Sequence, residues 1–182
     1  MRRLIALGAL LAVASPASAI GLGISGHYNL GIPLAPDGFK DFCATSYVGF
    51  QGDIEIAVHP FVNVVAAFGF QSFKSSEFDF VSNVELIPIL FGVEYPAVFG
   101  KIAFFPGGGI SYNVLNTNIQ GIDDEKKAGI WLGGNFYYMF NPKIGIGAGV
   151  AYNMIFTEGG KRLGEGKMSW LHIPFGIKYW FM

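Results

Sequence analysis

Thirteen consecutive residues near the C-terminal end alternate without a break. Ile144, Ile146, Ala148, Val150, Tyr152, Met154 and Phe156 fall in one phase, and Gly145, Gly147, Gly149, Ala151, Asn153 and Ile155 in the other. A period of two is the period of a β-strand, whose successive side chains leave opposite faces. At about 3.3 Å per residue and a tilt of about 40°, such a strand crosses about 30 Å, the thickness of a bilayer's hydrocarbon core; strands of soluble domains stop near five or six residues. A sheet that crosses lipid must leave no unpaired backbone edge, so it has to close on itself. The expected fold is therefore all-β, an eight-stranded antiparallel up-and-down transmembrane β-barrel with one face toward hydrocarbon and the other toward a narrow lumen.

The count of eight comes from reading the same alternation along the chain. It places strands at Gly21 to Ile32, Ser46 to Val58, Val62 to Phe73, Asn83 to Tyr95, Lys101 to Val114, Ala128 to Phe140, Ile144 to Phe156, and Met168 to Phe181. Connections after the second, fourth and sixth strands are short (His59-Pro60-Phe61, Pro96 to Gly100, Asn141-Pro142-Lys143), and the others are longer. Short turns at one end and longer loops at the other are the mark of an outer-membrane barrel with both termini in the periplasm.

The N-terminus fits export. Arg2 and Arg3 precede the apolar run Leu4 to Val13, and Ala17-Ser18-Ala19 offers a small-residue cleavage site, so residues 1–19 read as a secretory signal peptide and 20–182 as one barrel domain. Apolar content is 52%, yet Gly, Asn, Ser or a charge interrupts every candidate helical span beyond the leader, which again favours strands. The formal charge is −1, and −3 without Arg2 and Arg3, which gives nucleic acid no basic surface. Cys43 stands alone, so there is no intramolecular disulfide, and it reads as an incidental loop thiol.

Charge placement carries more than charge magnitude. Sixteen of the 23 charged residues beyond the leader fall in the four longer loops, as they must if Lys or Arg on a lipid-facing wall costs about 2–4 kcal/mol at the midplane. Asp53 and Glu55 share the phase of Gly49 and Gln51, and Lys178 shares that of His172 and Gly176, opposite the large apolar residues. Glu85, Glu94 and Lys101 complete the charged residues assigned to strands. Glu85 and Glu94 have opposite parity, so a bulge near Pro88 is needed to bring both inside. The inward phase is rich in glycine, with a polar, mostly filled interior that also takes Trp131 and Tyr137. Tyr95, Phe140, Tyr179, Trp180 and Phe181 at one end, and Tyr112, Phe156 and Trp170 at the other, suit interfacial girdles.

With its leader, its eight amphipathic strands and the closing segment His172-Ile173-Pro174-Phe175-Gly176-Ile177-Lys178-Tyr179-Trp180-Phe181, the chain resembles the OmpA/OmpX-like small outer-membrane β-barrel family. The resemblance covers essentially all of the chain beyond the leader and is to a barrel alone. It implies a monomer in the outer membrane of a Gram-negative-type bacterium, surrounded by outer-membrane lipid and lipopolysaccharide. It also implies recognition by the barrel-assembly machinery through the aromatics of the last strand, here Tyr179 and Phe181, with Met182 appended.

The candidate site is a lumen-lining polar network of His27, Asp53, Glu55, Glu85, Glu94, Lys101, His172 and Lys178. His27 and His172 lie on the first and last strands, which pair when a barrel closes, but no third ligand stands at metal-site spacing. No catalytic residue, metal or cofactor is therefore expected. Ser25 and His27 share the inward face without an assignable carboxylate, a thin basis for a nucleophile. Gly107-Gly108-Gly109 lacks the Lys-Ser/Thr and the helix of a phosphate loop, and Asp123-Asp124-Glu125-Lys126-Lys127 lacks calcium-loop spacing. The reading is a non-enzymatic protein acting in membrane structure or surface interaction, with the extracellular loops open to a ligand. A narrow porin-like channel for ions or small solutes is the alternative, and a lipid-modifying enzyme the third.

Overall fold

The computed structural model of the chain describes residues 21–35, 37–42, 48–74, 83–117, 125–156 and 167–181. The leader (residues 1–19), Cys43, Met182 and half of the sixteen long-loop charges lie outside these residues. Eight long strands are present: β1 (Leu22–Ala35), β2 (Val48–His59), β3 (Val62–Lys74), β4 (Asn83–Glu94), β6 (Ile102–Thr117), β7 (Glu125–Met139), β8 (Ile144–Ile155) and β9 (Met168–Phe181). A three-residue β5 (Ala97–Phe99) and a short helix α1 (Asp37–Phe42) complete the described elements. Each long strand pairs antiparallel with the next long strand along the chain, β4 pairing with β6 past the short β5, and β1 pairs with β9, so the sheet closes into a barrel.

The alternation is expressed as two chemically different surfaces. Phe50, Phe68, Ile110 and Leu132 are 57%, 61%, 65% and 68% exposed on the outer wall, with Ile54, Phe91, Phe136, Ile146 and Ile177 beside them in the same apolar belt. A soluble protein does not expose apolar area on this scale, whereas a barrel in lipid requires it. The inner wall buries Ser25, His27, Asn29, Asp53, Glu55, Gln71, Glu94, Asn153, His172 and Lys178.

Four sequence expectations are corrected. First, the turn expected at Pro96 to Gly100 contains β5, which prolongs β4 beyond Tyr95-Pro96 and pairs with β6 as Ala97↔Phe104 and Phe99↔Ile102. The reversal is the pair Gly100-Lys101, made possible by Gly100 at φ 61°. Lys101 is consequently exposed at a turn tip, with its ammonium 5.9 Å from the Tyr138 ring centroid, and is not lumenal. Second, β3 and β4 keep one register from Asn63↔Glu94 to Lys74↔Asn83. No bulge forms at Pro88, because Gly69 opposite leaves space for its ring; a Cβ there would lie 3.2 Å from Pro88 Cγ. Glu94 is inside, and Glu85 sits in the outward phase with Ile87, Ile89 and Phe91.

Third, the β6–β7 hairpin runs beyond its expected ends, with Asn113↔Lys127, Val114↔Lys126 and Leu115↔Glu125 in register. Burial of Leu115 (3% exposed) extends the ladder into what read as a charged loop. Fourth, Trp170 and Trp180 face the interior and not the girdle. Trp170 is 1% exposed, and Trp180 packs over Gly23, where a Cβ would lie 2.9 Å from its Cε3. Of the other girdle candidates, Phe140, Phe181, Tyr112 and Phe156 are exposed, and Tyr95 and Tyr179 are partly exposed.

Candidate functional site in the barrel interior

The interior has three layers. At the turn end, Lys178 of β9 donates through Nζ to Glu55 Oε2 of β2 at 2.5 Å, with both side chains at most 2% exposed. Asn63 Nδ2 adds a longer donation to the same oxygen at 3.5 Å. The ammonium also lies 3.4 Å from the Phe105 ring centroid, with the Trp180 ring at 5.0 Å and the Tyr137 ring at 5.2 Å. The cation thus has a carboxylate on one side and π-faces on the others, an arrangement that suits a desolvated charge. Small residues make the room: a Cβ on Gly107 would come within 2.6 Å of Glu94 Cγ.

The middle layer is built on Asp53. Its Oδ2 accepts from Ser25 Oγ at 3.0 Å and its Oδ1 from Gln51 Nε2 at 2.7 Å. His27 Nδ1 approaches the Oδ2 atom at 3.2 Å without hydrogen-bond alignment. On its other side His27 Nε2 is 2.6 Å from Tyr137 Oη. Ser25 therefore gives its proton to the carboxylate and not to the histidine, the reverse of what an activated nucleophile needs. Above this network lies a cavity of about 30 Å³, lined among others by His27, Gln51, Asp53, Glu94, Asn153, His172 and Trp131. Trp131 Nε1 donates across the wall to Phe91 O at 3.4 Å.

The loop-end layer is apolar. Phe39 of α1, Phe73 of β3, Val84 and Leu86 of β4, Leu115 of β6, Ile155 of β8, and Met168 and Trp170 of β9 form one cluster, none more than 3% exposed. Phe39 meets Phe73 edge to face at 5.2 Å between centroids, so a side chain from a loop helix caps the lumen. The expectation of a polar interior thus holds for the two lower layers and fails for the uppermost.

Of the eight residues assigned to the lumen, the structure brings together His27, Asp53, Glu55, Glu94, His172 and Lys178, and leaves out Glu85 and Lys101. His27 and His172 do not oppose each other, since His27 pairs with Gly176 and Gly31 with His172; both nevertheless line the cavity. Among the described residues, no group of three or more His, Cys, Asp and Glu side chains is placed to hold a metal ion. Amides also belong to the network: Gln51 donates to Asp53, Asn63 to Glu55, and Asn153 lines the cavity. Their signal was present, because each is a polar residue in the inward phase of its strand. Tyr179 and Phe181 lie outside the lumen, at the turn end of β9, with their rings in edge contact at 4.8 Å.

No protein-family model matches the sequence, and no curated protein does. Solved structures do. Neisserial surface protein A (NspA) is 15% identical, with 87% of this chain and 96% of that chain covered and a TM-score of 0.63. Ail, the attachment invasion locus protein of Yersinia pestis, is 13% identical, with 90% and 100% covered and a TM-score of 0.59. A second structure of Ail, in complex with the heparin analogue sucrose octasulfate, matches at 0.58. The outer membrane protein OprG from Pseudomonas aeruginosa is 16% identical, with 90% and 96% covered, at 0.58. The chain has the fold of these small outer-membrane β-barrels.

Proposed function

We propose that this protein is a monomeric outer-membrane barrel, exported by a cleaved leader at residues 1–19, that acts without catalysis through its loops on the cell surface. Its interior serves as a sealed support. The observation that carries this reading is closure at both ends. Eight apolar side chains fill the loop end, and Lys178, Glu55 and the rings of Phe105, Tyr137 and Trp180 fill the turn end. Ions cross neither a dehydrated apolar plug nor a buried ion pair without rearrangement.

The outer wall belongs to lipid and lipopolysaccharide, Tyr179 and Phe181 to the barrel-assembly machinery during insertion, and the loops to an extracellular ligand. The most highly charged of these, between β8 and β9, carries Glu158, Lys161, Arg162, Glu165 and Lys167 in sequence. Ail's complex with a sulfated heparin analogue makes a polyanionic surface glycan a reasonable first ligand to try. Against the lipid-modifying reading stands Ser25, which is 8% exposed and bonded to Asp53, out of reach of a membrane lipid.

The test is single-channel recording of the refolded protein in a planar bilayer, once its resistance to detergent below the unfolding temperature is established. A silent barrel is expected. Steady openings altered by Glu55→Gln or Lys178→Met would instead make the lumen a permeation path and give the channel alternative precedence.

A further inference from the structure

The cavity in the middle layer brings together more polar atoms than it satisfies. Five of its lining residues each carry a buried side-chain nitrogen or oxygen without a hydrogen-bond partner: His27 Nδ1, Gln51 Oε1, Glu94 Oε2, Asn153 Nδ2 and His172 Nε2. His27, Glu94, Asn153 and His172 are 5%, 6%, 4% and 7% exposed, so bulk solvent does not serve them. Buried polar groups almost always find a partner, and leaving one unsatisfied costs about 1–3 kcal/mol. Five orphans around one cavity therefore point to something polar between them.

The cavity's size narrows the choice. A volume of about 30 Å³ accommodates about two or three water molecules, at 10–15 Å³ of this measure for each. Each buried water makes about three hydrogen bonds, so two or three waters supply enough bonds for five orphan atoms and for one another. An organic ligand is too large for this space. The donor set includes amide, imidazole and carboxylate groups, which water meets as both donor and acceptor.

We infer that the mid-barrel cavity is an internal hydration site. It holds a cluster of two or three ordered waters that bridge Glu94 of β4 to Gln51 and His27 on one side and to Asn153 and His172 on the other. The direct side-chain bonds through Ser25, Gln51 and Asp53 stay on neighbouring β1 and β2, and that between His27 and Tyr137 crosses to β7; the waters add links from β4 to β1, β2, β8 and β9. They act as struts across the lumen between side-chain atoms that have no direct partner. The apolar layer above and the ion-pair layer below slow their exchange with either compartment.

Oxygen-17 magnetic relaxation dispersion counts waters whose residence exceeds the tumbling time, and it applies to the folded barrel in micelles. About two or three long-lived waters are expected in the wild-type protein. Fewer by that number are expected in Asn153→Leu with His172→Phe, which fill the cavity with apolar volume. Should that variant fail to fold, water-to-imidazole cross-relaxation at His172 in the wild-type protein replaces it, and a contact with a slowly exchanging water is expected. A folded wild-type barrel with no long-lived water overturns the inference. So does native mass spectrometry that finds a bound metal ion or organic molecule lost on His172→Phe.

Discussion

Substituting Lys178 by Met should be among the most damaging single changes in the barrel, and its size can be worked from the turn-end layer. The ammonium is 1% exposed, bonded at 2.5 Å to a carboxylate that is 2% exposed, and 3.4 Å from the Phe105 ring centroid. Methionine reproduces the length of the side chain and keeps a soft contact with the aromatic rings, so little packing is lost. What remains is Glu55, buried and holding one long bond from Asn63 at 3.5 Å. Breaking a buried pair from one side costs about 3–5 kcal/mol, most of it the stranded charge. Glu55→Leu should cost a similar amount by stranding the ammonium. The double variant removes both charges and should return to within about 1 kcal/mol of wild type, because an apolar pair of similar volume is about as stable as a buried ion pair. Equilibrium urea unfolding in phospholipid vesicles, followed by tryptophan fluorescence, measures all four corners of the cycle, and Trp180 beside the pair supplies a local signal. Simple additivity, with the double variant about 6–10 kcal/mol down, would show that the two residues act independently and refute the reasoning.

Three further outcomes follow from the same geometry. Phe39→Ala removes the cap of the apolar layer and should cost about 3–5 kcal/mol in the same unfolding assay; a loss below about 1 kcal/mol would mean that α1 does not seal the lumen. Gly107→Val places a branched side chain against Glu94, where even a Cβ would stand at 2.6 Å from Cγ. It should cost about 1–3 kcal/mol or more, visible as a lower temperature for loss of the compact, detergent-resistant form on gels, and an unchanged temperature would contradict the tight inner wall. Glu85→Gln and Lys101→Gln should each shift stability by no more than about 0.5 kcal/mol, since neither reaches the lumen; a larger loss in either would restore it to the polar network.

How much of the interior was legible depended on how clean the parity of each strand was. On β2 and over the stretch of β9 from His172 to Lys178 the inward phase is polar or small and the outward phase apolar, so the inward placement of Asp53, Glu55, His172 and Lys178 is legible in the sequence. On β4 the two phases are almost equally apolar: Val84, Leu86 and Leu90 face inward, and Ile87, Ile89 and Phe91 outward. Its two glutamates then had to decide the parity, and they disagreed. Lys101 was misplaced for a different reason, since a two-residue turn at a glycine shifts a strand end by a few positions and moves the first residue from wall to tip. The apolar cap is not legible in the sequence, because Phe39 comes from a connection with no period and its partners are gathered from five strands.

The amino-acid sequence by itself determined that this chain crosses a membrane as a closed sheet of eight long strands. A side-chain period of two, sustained over membrane-spanning lengths, leaves a backbone no other way to satisfy its hydrogen bonds in lipid. It also determined which face of most strands meets hydrocarbon. Only the tertiary structure decided which inward residues meet. The Lys178 to Glu55 pair, the Asp53 network and the Phe39 cap join positions far apart in the chain, and their contacts depend on the stagger of the strands around the barrel. That stagger is set by the sum of the ladder registers, a property of the closed sheet that no single strand carries.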